Sequence, residues 1–374
     1  MDNKESSNDK KGNGEILKSK YSNIPEFIEK KLNRKLHNLP NHPIQIIKSH
    51  IYKFFSQLPN YKFEYFDNLS SIVSVGDNFD KLLIPKSHPA RSKSDTYYVD
   101  ETTVLRTHTS AHQNELLARG ITSFIVTGDV YRKDEIDSRH YPVFHQMELL
   151  TLVDVHVDPE AELKTILSQL VNWLFPNCEF RFNPDYFPFT HPSFEIEVKF
   201  QDKWLEILGC GVVQPAILEA NGITGKKAIA AGFGLDRLAM IFTEIPDIRY
   251  IWSEHPRFIS QYANGKLNKF IPYSELPSIY KDVSFYVKTD QLELDEQIQK
   301  KWLYENDFYE IIRNEVGDYI EEVSLIDNYY NKKQNKYSRT YRLVYSPPDP
   351  ELKNPAEFNE WVNNKQNTLV EILL

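Results

Sequence analysis

The sequence predicts an α+β protein of two domains, the second with the βαββαβ order of a ferredoxin-like sandwich. The chain has 374 residues, a length typical of about two domains. Segments rich in β-branched and aromatic residues recur between polar turns, and helical patterns interrupt them. The boundaries predicted are a disordered segment at 1–20, a first domain at 21–256, a connector at 257–275 and a second domain at 276–374.

Two helices are predicted before the first long strand. The first begins with Asn41 as its cap and Pro43 in its first turn, ahead of an apolar stripe. The second covers residues 110–119 and ends at Gly120. Between them, residues 61–106 alternate short strand-like runs with turns.

Strands dominate the middle of the chain. They are predicted at 121–130, 143–153, 179–183, 194–200 and 204–213. The polar segment KDEIDSRHYP between the first two is too long for a tight hairpin turn and indicates a functional loop. Helices are predicted at 159–174 and 235–242, the latter after the small-residue strand AIAAGFG.

The last part of the chain carries the ferredoxin-like order. Strands are predicted at 279–286, 319–327, 338–345 and 368–374, and helices at 306–314 and 354–367, the first of them capped by Asn306 and Asp307. The connector at 257–275 shows no clear period.

Composition excludes several classes of protein. Hydrophobic residues make up 41% and charged residues 26%, as in ordinary globular proteins, and no apolar run is long enough for a transmembrane helix. A net charge of -9 argues against nucleic-acid binding by bulk electrostatics. Two cysteines cannot form a disulfide framework, which favours a reducing compartment. The polar, acid-containing N-terminus is a poor transit peptide.

Two arginines are candidates for binding anions. Arg132 is predicted to lie in a strand, on the same face as Val130 and Asp134, and its planar guanidinium could clamp a carboxylate and an α-phosphate that must approach each other. A plain surface arginine is the alternative. Arg237 follows Gly232 and Gly234, and glycine in a strand often marks close approach by a ligand. Arg237 could therefore face the β- and γ-phosphates of a nucleotide.

A second group of residues suits an amino acid. Gln146 and Glu148 share one strand face with Phe144 and could bind an α-ammonium, while the ring could stack on adenine. A solvated strand edge is the alternative. His108, Ser110 and Gln113 lie at a strand-to-helix junction and could contact the same substrate, or Thr109 or Ser110 could simply cap the helix.

Two further segments complete the candidate site. Phe187 and Phe189 could hold a third ring between them, or could belong to the core. Gly209 and Gly211 end a strand that a ligand could approach closely. Glu206 in that strand is a candidate for holding Mg²⁺ on nucleotide phosphates, with a structural role as the alternative.

These segments together resemble one family. GDVYRKDEIDSRHYPVFHQME resembles motif 2, and AAGFGLDRLAM resembles motif 3, of the single-chain mitochondrial phenylalanine–tRNA ligases, which are class II aminoacyl-tRNA synthetases. HPARSKSDTYYV, LRTHTSAHQ, YFPFTHPSFEIEV and WLEILGCGV also resemble family segments. The resemblance covers residues 41–374. It implies an antiparallel catalytic sheet flanked by helices and a C-terminal ferredoxin-like anticodon-binding domain.

The resemblance also implies roles for individual residues. Arg132 and Arg237 would be catalytic. Phenylalanine would contact His108, Ser110, Ala111, His112, Gln113, Gln146, Met147, Glu148, Phe187, Phe189, Gly209 and Gly211. ATP, accompanied by Mg²⁺, would contact Arg132, Asp134, Arg139, His140, Tyr141, Phe144, Gly232, Gly234 and Arg237. Arg139 departs from the family pattern, which has a small or hydroxyl residue there.

The tRNA surface must be local, because residues 276–374 contain 12 Lys and Arg against 18 Asp and Glu, a net charge of -6. The candidates surround one hairpin: Lys332, Lys333, Lys336, Arg339 and Arg342. A solvated turn is the alternative.

The resemblance implies a monomer that attaches L-phenylalanine to tRNA(Phe) through phenylalanyl-adenylate in the mitochondrial matrix, without a membrane; the cytoplasm is the alternative location. A non-catalytic paralogue would have lost ATP-binding residues, and these are retained. A bare RNA-binding protein is disfavoured by the negative charge.

Overall fold

The structure is a computed structural model, and it describes residues 19–200, 202–273, 276–294, 300–334, 336–348 and 354–373. Most of the segment predicted to be disordered, residues 1–18, lies outside the described residues.

The helices and strands follow the predicted α+β order. The helices are α1 (Glu26–Glu29), α2 (Pro43–Ser56), α3 (Val75–Asn78), α4 (Gln113–Ala118), α5 (Pro159–Leu174), α6 (Pro215–Ala220), α7 (Leu235–Thr243), α8 (Pro256–Ile259), α9 (Glu305–Val316) and α10 (Pro355–Leu373). The first nine strands are β1 (Glu64–Phe66), β2 (Ile72–Ser74), β3 (Thr103–Leu105), β4 (Ser123–Tyr131), β5 (Val143–Asp154), β6 (Phe180–Asp185), β7 (Thr190–Phe200), β8 (Lys203–Val213) and β9 (Lys226–Gly234). The last five are β10 (Ile279–Val287), β11 (Leu292–Leu294), β12 (Lys300–Trp302), β13 (Ile320–Asn331) and β14 (Lys336–Tyr345).

The N-terminal domain is built on a seven-stranded sheet in the order β1-β4-β5-β9-β8-β7-β6. Only the β1–β4 pair is parallel, so the antiparallel sheet implied by the family resemblance is confirmed. Helices α2, α5 and α7 pack on one face, where Ile51, Leu167 and Leu238 are fully buried. On the opposite face, α4 and α6 cover one end of the central strands, where Phe124, Leu150 and Ala230 are buried, and the other end is not covered by any helix of the described residues.

The start of α2 differs from the prediction. His42, not Asn41, is the cap: its Nδ1 accepts from the Ile44 amide, and its Nε2 donates to the Ile251 carbonyl. Burial lowers the pKa of His42 to about 3, so the ring is neutral and uses both nitrogens. The prediction of Pro43 in the first turn is confirmed.

The C-terminal domain has the sheet order β10-β14-β13, covered by α9 and α10. The closing strand predicted at 368–374 is wrong, because α10 continues to Leu373 and buries Phe358, Val362 and Leu369. A short apolar run does not distinguish a strand from a buried helical turn. The predicted caps of α9 are also wrong: the helix follows Tyr304, and Asp307 pairs with Lys133.

The connector is packed against the first domain. It contains α8 and a short 3₁₀ turn, and it buries Phe258, Tyr262 and Phe270 in the apolar cluster of the first domain. None of the helices in the described ranges is both long enough and apolar enough to cross a membrane.

Replacing Leu369 tests the helical end of α10. We expect Leu369→Ala to lower the free energy of unfolding by about 2–5 kcal/mol, because it leaves a cavity in the core of the second domain. The nearby Ile372 is 52% exposed, so Ile372→Ala should change it by less than about 0.5 kcal/mol. Urea denaturation measures both, and equal effects would contradict the packing of α10.

Candidate active site

A cleft of about 570 Å³ opens at the uncovered end of the central strands. Such a volume is typical of small-molecule sites. Most of the predicted residues line it: His108, Ser110, Arg132, Asp134, Arg139, His140, Tyr141, Phe144, Gln146, Glu148, Phe187, Phe189, Glu206, Gly209, Gly211, Gly232, Gly234 and Arg237. The two arginines, which lie far apart in the chain, therefore meet at one cavity.

The floor of the cleft is one row of residues across four strands. Glu148 on β5 pairs with Gly232 on β9, which pairs with Gly209 on β8, which pairs with Glu195 on β7. Neither glycine between the carboxylates adds a side chain, but Phe187 lies over Gly209, so the open part of this row is at Gly232. A Cβ added at Gly232 would meet nothing within 4 Å, which leaves room for a ligand against this strand.

The other glycines accommodate the protein itself. A Cβ at Gly209 would lie 2.9 Å from the Phe187 ring, and one at Gly211 would lie 2.6 Å from the Thr190 Cβ. Both glycines also line the cleft, so the close approach of a ligand to β8 stays a prediction. Gly209 allows Phe187 to lie over the strand.

Phe187 and Phe189 form a single wall. Their ring centroids are 5.9 Å apart with an interplanar angle of 15°, so the rings already contact each other. A third ring between them, as predicted, would require the two rings to separate. An aromatic ligand would instead lie against this pair.

Four predicted residues do not line the cleft. Met147 belongs to the core, because strand alternation turns it away from Gln146 and Glu148. His112 is buried with its Nε2 2.9 Å from Arg106, and Ala111 packs in a separate apolar cluster. Gln113 acts indirectly, since its amide donates to Glu148.

Glu148 is a buried carboxylate held by two donors. Ser110 Oγ and Gln113 Nε2 each donate to one of its oxygens. Burial raises the pKa of Glu148 to about 7, although both hydrogen bonds act in the opposite direction. A cation bound beside it would favour the ionised form, so this end of the cleft suits an ammonium group.

Arg132 is held from two sides. Its Nε donates to the Thr107 carbonyl at 2.7 Å, and its guanidinium lies 5.3 Å from the centre of the Phe144 ring. Burial, with Arg132 as the second cause, lowers the pKa of the neighbouring His108 to about 3. His108 is therefore neutral, and Arg132 carries the positive charge at this end of the cleft.

Arg237 lies at the other side, on the first turn of α7. Its Nη1 is 3.0 Å from Glu206 Oε2, and both side chains are about half exposed. The preceding residue, Asp236, accepts from the His145 amide and lies 3.2 Å from the His145 Nδ1. This contact ties the start of α7 to β5.

Several cleft residues were missed from the sequence, among them Glu195, Cys210 and Asp236. Burial raises the pKa of Glu195, and the negative charge of Glu206 is the second cause. The carboxylates of Glu195 and Glu206 therefore lie near each other in the cleft. Cross-strand pairing with Gly209 brings Glu195 here, and no local pattern carries that information.

The predicted tRNA cluster is not one surface. Arg339 is only 2% exposed and contacts Tyr341 and Glu305. The prediction that it belongs to a tRNA-binding surface is therefore wrong, and Arg339 is a core residue of the second domain. Arg342 is exposed and pairs with Asp282 at 2.9 Å. Lys332, Lys333 and Lys336 are exposed at the hairpin between β13 and β14.

Comparison with known proteins agrees with this geometry. Residues 28–262 match the class II core domain (F) of tRNA synthetases, and residues 274–373 match the ferredoxin-fold anticodon binding domain. The chain is 47% identical to the chloroplastic/mitochondrial phenylalanine–tRNA ligase of Arabidopsis thaliana, covering 87% of this chain and 75% of that protein. The chain belongs to the phenylalanine–tRNA ligase family.

Other members of the family are similar over comparable lengths. The mitochondrial phenylalanine–tRNA ligase of Mus musculus is 38% identical, with 87% of this chain and 79% of that protein covered. The mitochondrial phenylalanine–tRNA ligase of Saccharomyces cerevisiae is 35% identical, with 90% and 88% covered. The fold implied by the sequence resemblance, a class II core followed by a ferredoxin-fold domain, is thus confirmed.

The raised pKa of Glu148 predicts how stability depends on pH. The folded state holds a proton on Glu148 up to about pH 7, whereas an unfolded glutamate loses it near its ordinary pKa of 4.5. Stability should therefore fall as pH rises through this interval, by roughly 3 kcal/mol. Glu148→Gln should remove that part of the slope in urea denaturation between pH 5 and about pH 8. An unchanged slope would contradict the buried state of the carboxylate.

Proposed function

We propose that ATP and phenylalanine react in this cleft to give phenylalanyl-adenylate and pyrophosphate, and that the acyl group then passes to the terminal ribose of tRNA. As a phenylalanine–tRNA ligase, the protein performs this overall reaction in mitochondrial translation. The observation that carries the assignment of the site is the convergence of Arg132, Arg237 and Glu148 on one cavity.

The amino acid occupies the end of the cleft beside Glu148. Its α-ammonium lies against the Glu148 carboxylate, which Ser110 holds in place, and Gln146 on the same strand face adds an acceptor. The phenyl ring lies against the wall made by Phe187 and Phe189. This arrangement places the substrate carboxylate toward the open centre of the cleft, where the nucleotide must approach.

The nucleotide occupies the open floor over Gly232. Adenine stacks on Phe144, and Arg132 lies between the substrate carboxylate and the α-phosphate. Arg237 binds the β- and γ-phosphates from the exposed side of the cleft. The loop residues Asp134, Arg139 and His140 border the same space.

Class II synthetases use ATP with a divalent metal, and the wall of the cleft offers suitable donors. Glu195 and Glu206 present carboxylate oxygens, the type of ligand that Mg²⁺ prefers. We assign these two residues to a magnesium ion that would neutralise phosphate charge. Glu206 also contacts Arg237, so it orients the guanidinium that binds the β- and γ-phosphates.

The chain contributes positioning and electrostatic stabilisation without forming a covalent intermediate. Attack of the phenylalanine carboxylate on the α-phosphate brings two anions together, and Arg132 offsets their repulsion in a partly water-excluded cleft. Because Arg132 is already fixed by Thr107 and Phe144, its guanidinium needs little reorganisation when charge develops. The single-chain relatives support a monomer.

Arg132→Ala tests the assignment of the cleft. We expect ATP–pyrophosphate exchange with phenylalanine to fall by about two to four orders of magnitude, because the clamp on the reacting anions is lost. Arg181→Ala is the matched control: Arg181 is exposed and pairs with Glu197 on β7, outside the cleft. Near-normal exchange in Arg132→Ala would refute the role of Arg132.

The open face of the second domain's sheet suits unpaired RNA bases. Tyr286 on β10 and Tyr329 on β13 both pair with Ser338 on the central strand, and both tyrosines are more than half exposed. Lys336 lies 5.7 Å from the Tyr286 ring. We propose that anticodon bases stack on these rings while the lysines of the hairpin contact phosphates.

Tyr286→Ala and Tyr329→Ala test this surface. Each should raise the KM for tRNA about five- to a hundredfold, the cost of losing one stacked base, with ATP–pyrophosphate exchange unchanged. Tyr304→Ala serves as a control, because Tyr304 is exposed but precedes α9, outside the sheet. Unchanged KM values in both sheet variants would place the anticodon elsewhere.

A further inference from the structure

The loop that joins β4 to β5, residues 132–142, lies between the two domains. On one side Asp134, Arg139 and His140 border the cleft. On the other side the loop contacts the C-terminal domain through its backbone and through side chains at both of its ends. A loop without regular structure is ordinarily among the mobile parts of a protein, so what immobilises it bears on the site.

Ile136 is the apolar contact. It is only 5% exposed, and the buried residues around it are those of the C-terminal domain, including Ile312 and Val323. The backbone of Ile136 also contacts the C-terminal domain: its carbonyl accepts from the Val323 amide on β13 at 2.9 Å. One residue of the catalytic domain thus completes the core of the other domain.

Polar contacts hold the loop on either side of Ile136. Lys133 Nζ lies 2.9 Å from Asp307 Oδ1, and the Lys133 side chain is only 6% exposed. Arg313 donates to the carbonyl of Glu135. At the far end, the Tyr141 hydroxyl donates to Asp318 Oδ1 at 2.6 Å.

Asp318 also binds the catalytic domain outside the loop. Its Oδ2 lies 2.7 Å from Lys31 Nζ, and its carbonyl accepts from Arg249 Nη1 at 2.7 Å. The same Arg249 nitrogen donates to the Ser346 carbonyl at 2.6 Å, and Asp247 orients the guanidinium. These contacts fix the C-terminal domain against the catalytic domain, so the loop is held by a surface that is itself anchored.

We propose that Ile136, Arg313 and Asp318 are positioning residues for ATP: the docked C-terminal domain holds the nucleotide-binding loop in its working conformation during adenylate formation. This rests on the proposed assignment of the cleft. Ordering a loop when a ligand arrives lowers affinity, and contacts that order it beforehand remove that loss. The C-terminal domain would therefore assist the first chemical step, before any tRNA is bound.

The effect should be specific to the nucleotide. Of the residues assigned to the amino acid, Gln146 and Glu148 lie on β5, Phe187 and Phe189 precede β7, and Ser110 lies on the turn before α4. Arg132, at the start of the loop, is held by the Thr107 carbonyl and the Phe144 ring, both in the catalytic domain. Within the described parts of the chain, the hydrogen bonds of Ser110 and Glu148 stay inside the catalytic domain. Loosening the loop should weaken ATP binding and leave phenylalanine binding intact.

Two full-length variants test the proposal by ATP–pyrophosphate exchange without tRNA. Asp318→Asn weakens the contacts to Tyr141 and Lys31 at nearly constant size, and Ile136→Ala removes the apolar contact. In each we expect the KM for ATP to rise about five- to thirtyfold, with the KM for phenylalanine changed less than about twofold. Asp290→Asn and Ile372→Ala, exposed in the same domain, should behave as the unaltered protein.

A double-mutant cycle checks that the effect passes through the contact itself. Tyr141→Phe removes the donor of this hydrogen bond, and Asp318→Asn replaces its charged acceptor with a neutral amide, so the rise in the KM for ATP in the double variant should be markedly smaller than the product of the two single rises. A rise equal to the product of the two single rises would contradict a shared mechanism.

Two results would overturn the proposal: an unchanged KM for ATP in both variants, or an equal rise in the KM for phenylalanine, which indicates general damage. These outcomes are distinct from failure of the proposed site. If Arg132→Ala abolishes exchange while Asp318→Asn and Ile136→Ala match the unaltered protein, only the positioning role is lost. Normal exchange in Arg132→Ala would remove the assignment of the cleft itself.

Discussion

The geometry of the site depends on the pairing of β5 with β4 and β9. Alternation along β5 directs Phe144, Gln146 and Glu148 to the open face, while Val143 and Met147 enter the core. The register with β9 then sets Gly232 beside Glu148 and Gly234 beside Gln146. A shift of one residue in this register would send the polar side chains into the core, where they would lack partners.

The same constraint explains why both arginines reach one cavity. Arg132 immediately follows β4, and Arg237 lies on the first turn of the helix that follows β9, so both leave strands that flank β5. Asp236 reinforces this by binding the His145 amide across the strand ends. The ionised form of Glu148 is unfavourable in the folded chain until a cation accompanies it. Binding of an ammonium ligand beside Glu148 therefore stabilises the ionised carboxylate.

Much of the architecture follows from local patterns. Helix α5 has the predicted bounds, since an Asp158 cap, a proline at its start and a regular apolar stripe all agree. The strands at the centre of the first domain were also predicted to within a few residues. Errors arose where local signals were ambiguous: residues 368–373 are apolar in a way that suits either a strand or a buried helical face, and packing against β10 and α9 selected the helix.

The sequence by itself determined the family, the order of the elements and the strand face that carries Gln146 and Glu148, because periodicity and short motifs are local properties of the chain. Only the tertiary structure decided that Glu195 joins the floor of the cleft, that Arg339 is buried and that Ile136 belongs to the core of the other domain. Each of these results from strand pairing or domain packing between distant segments. Such contacts depend on which surfaces of the folded chain meet. The residues next to one another in the sequence do not determine which distant segment will pack against them.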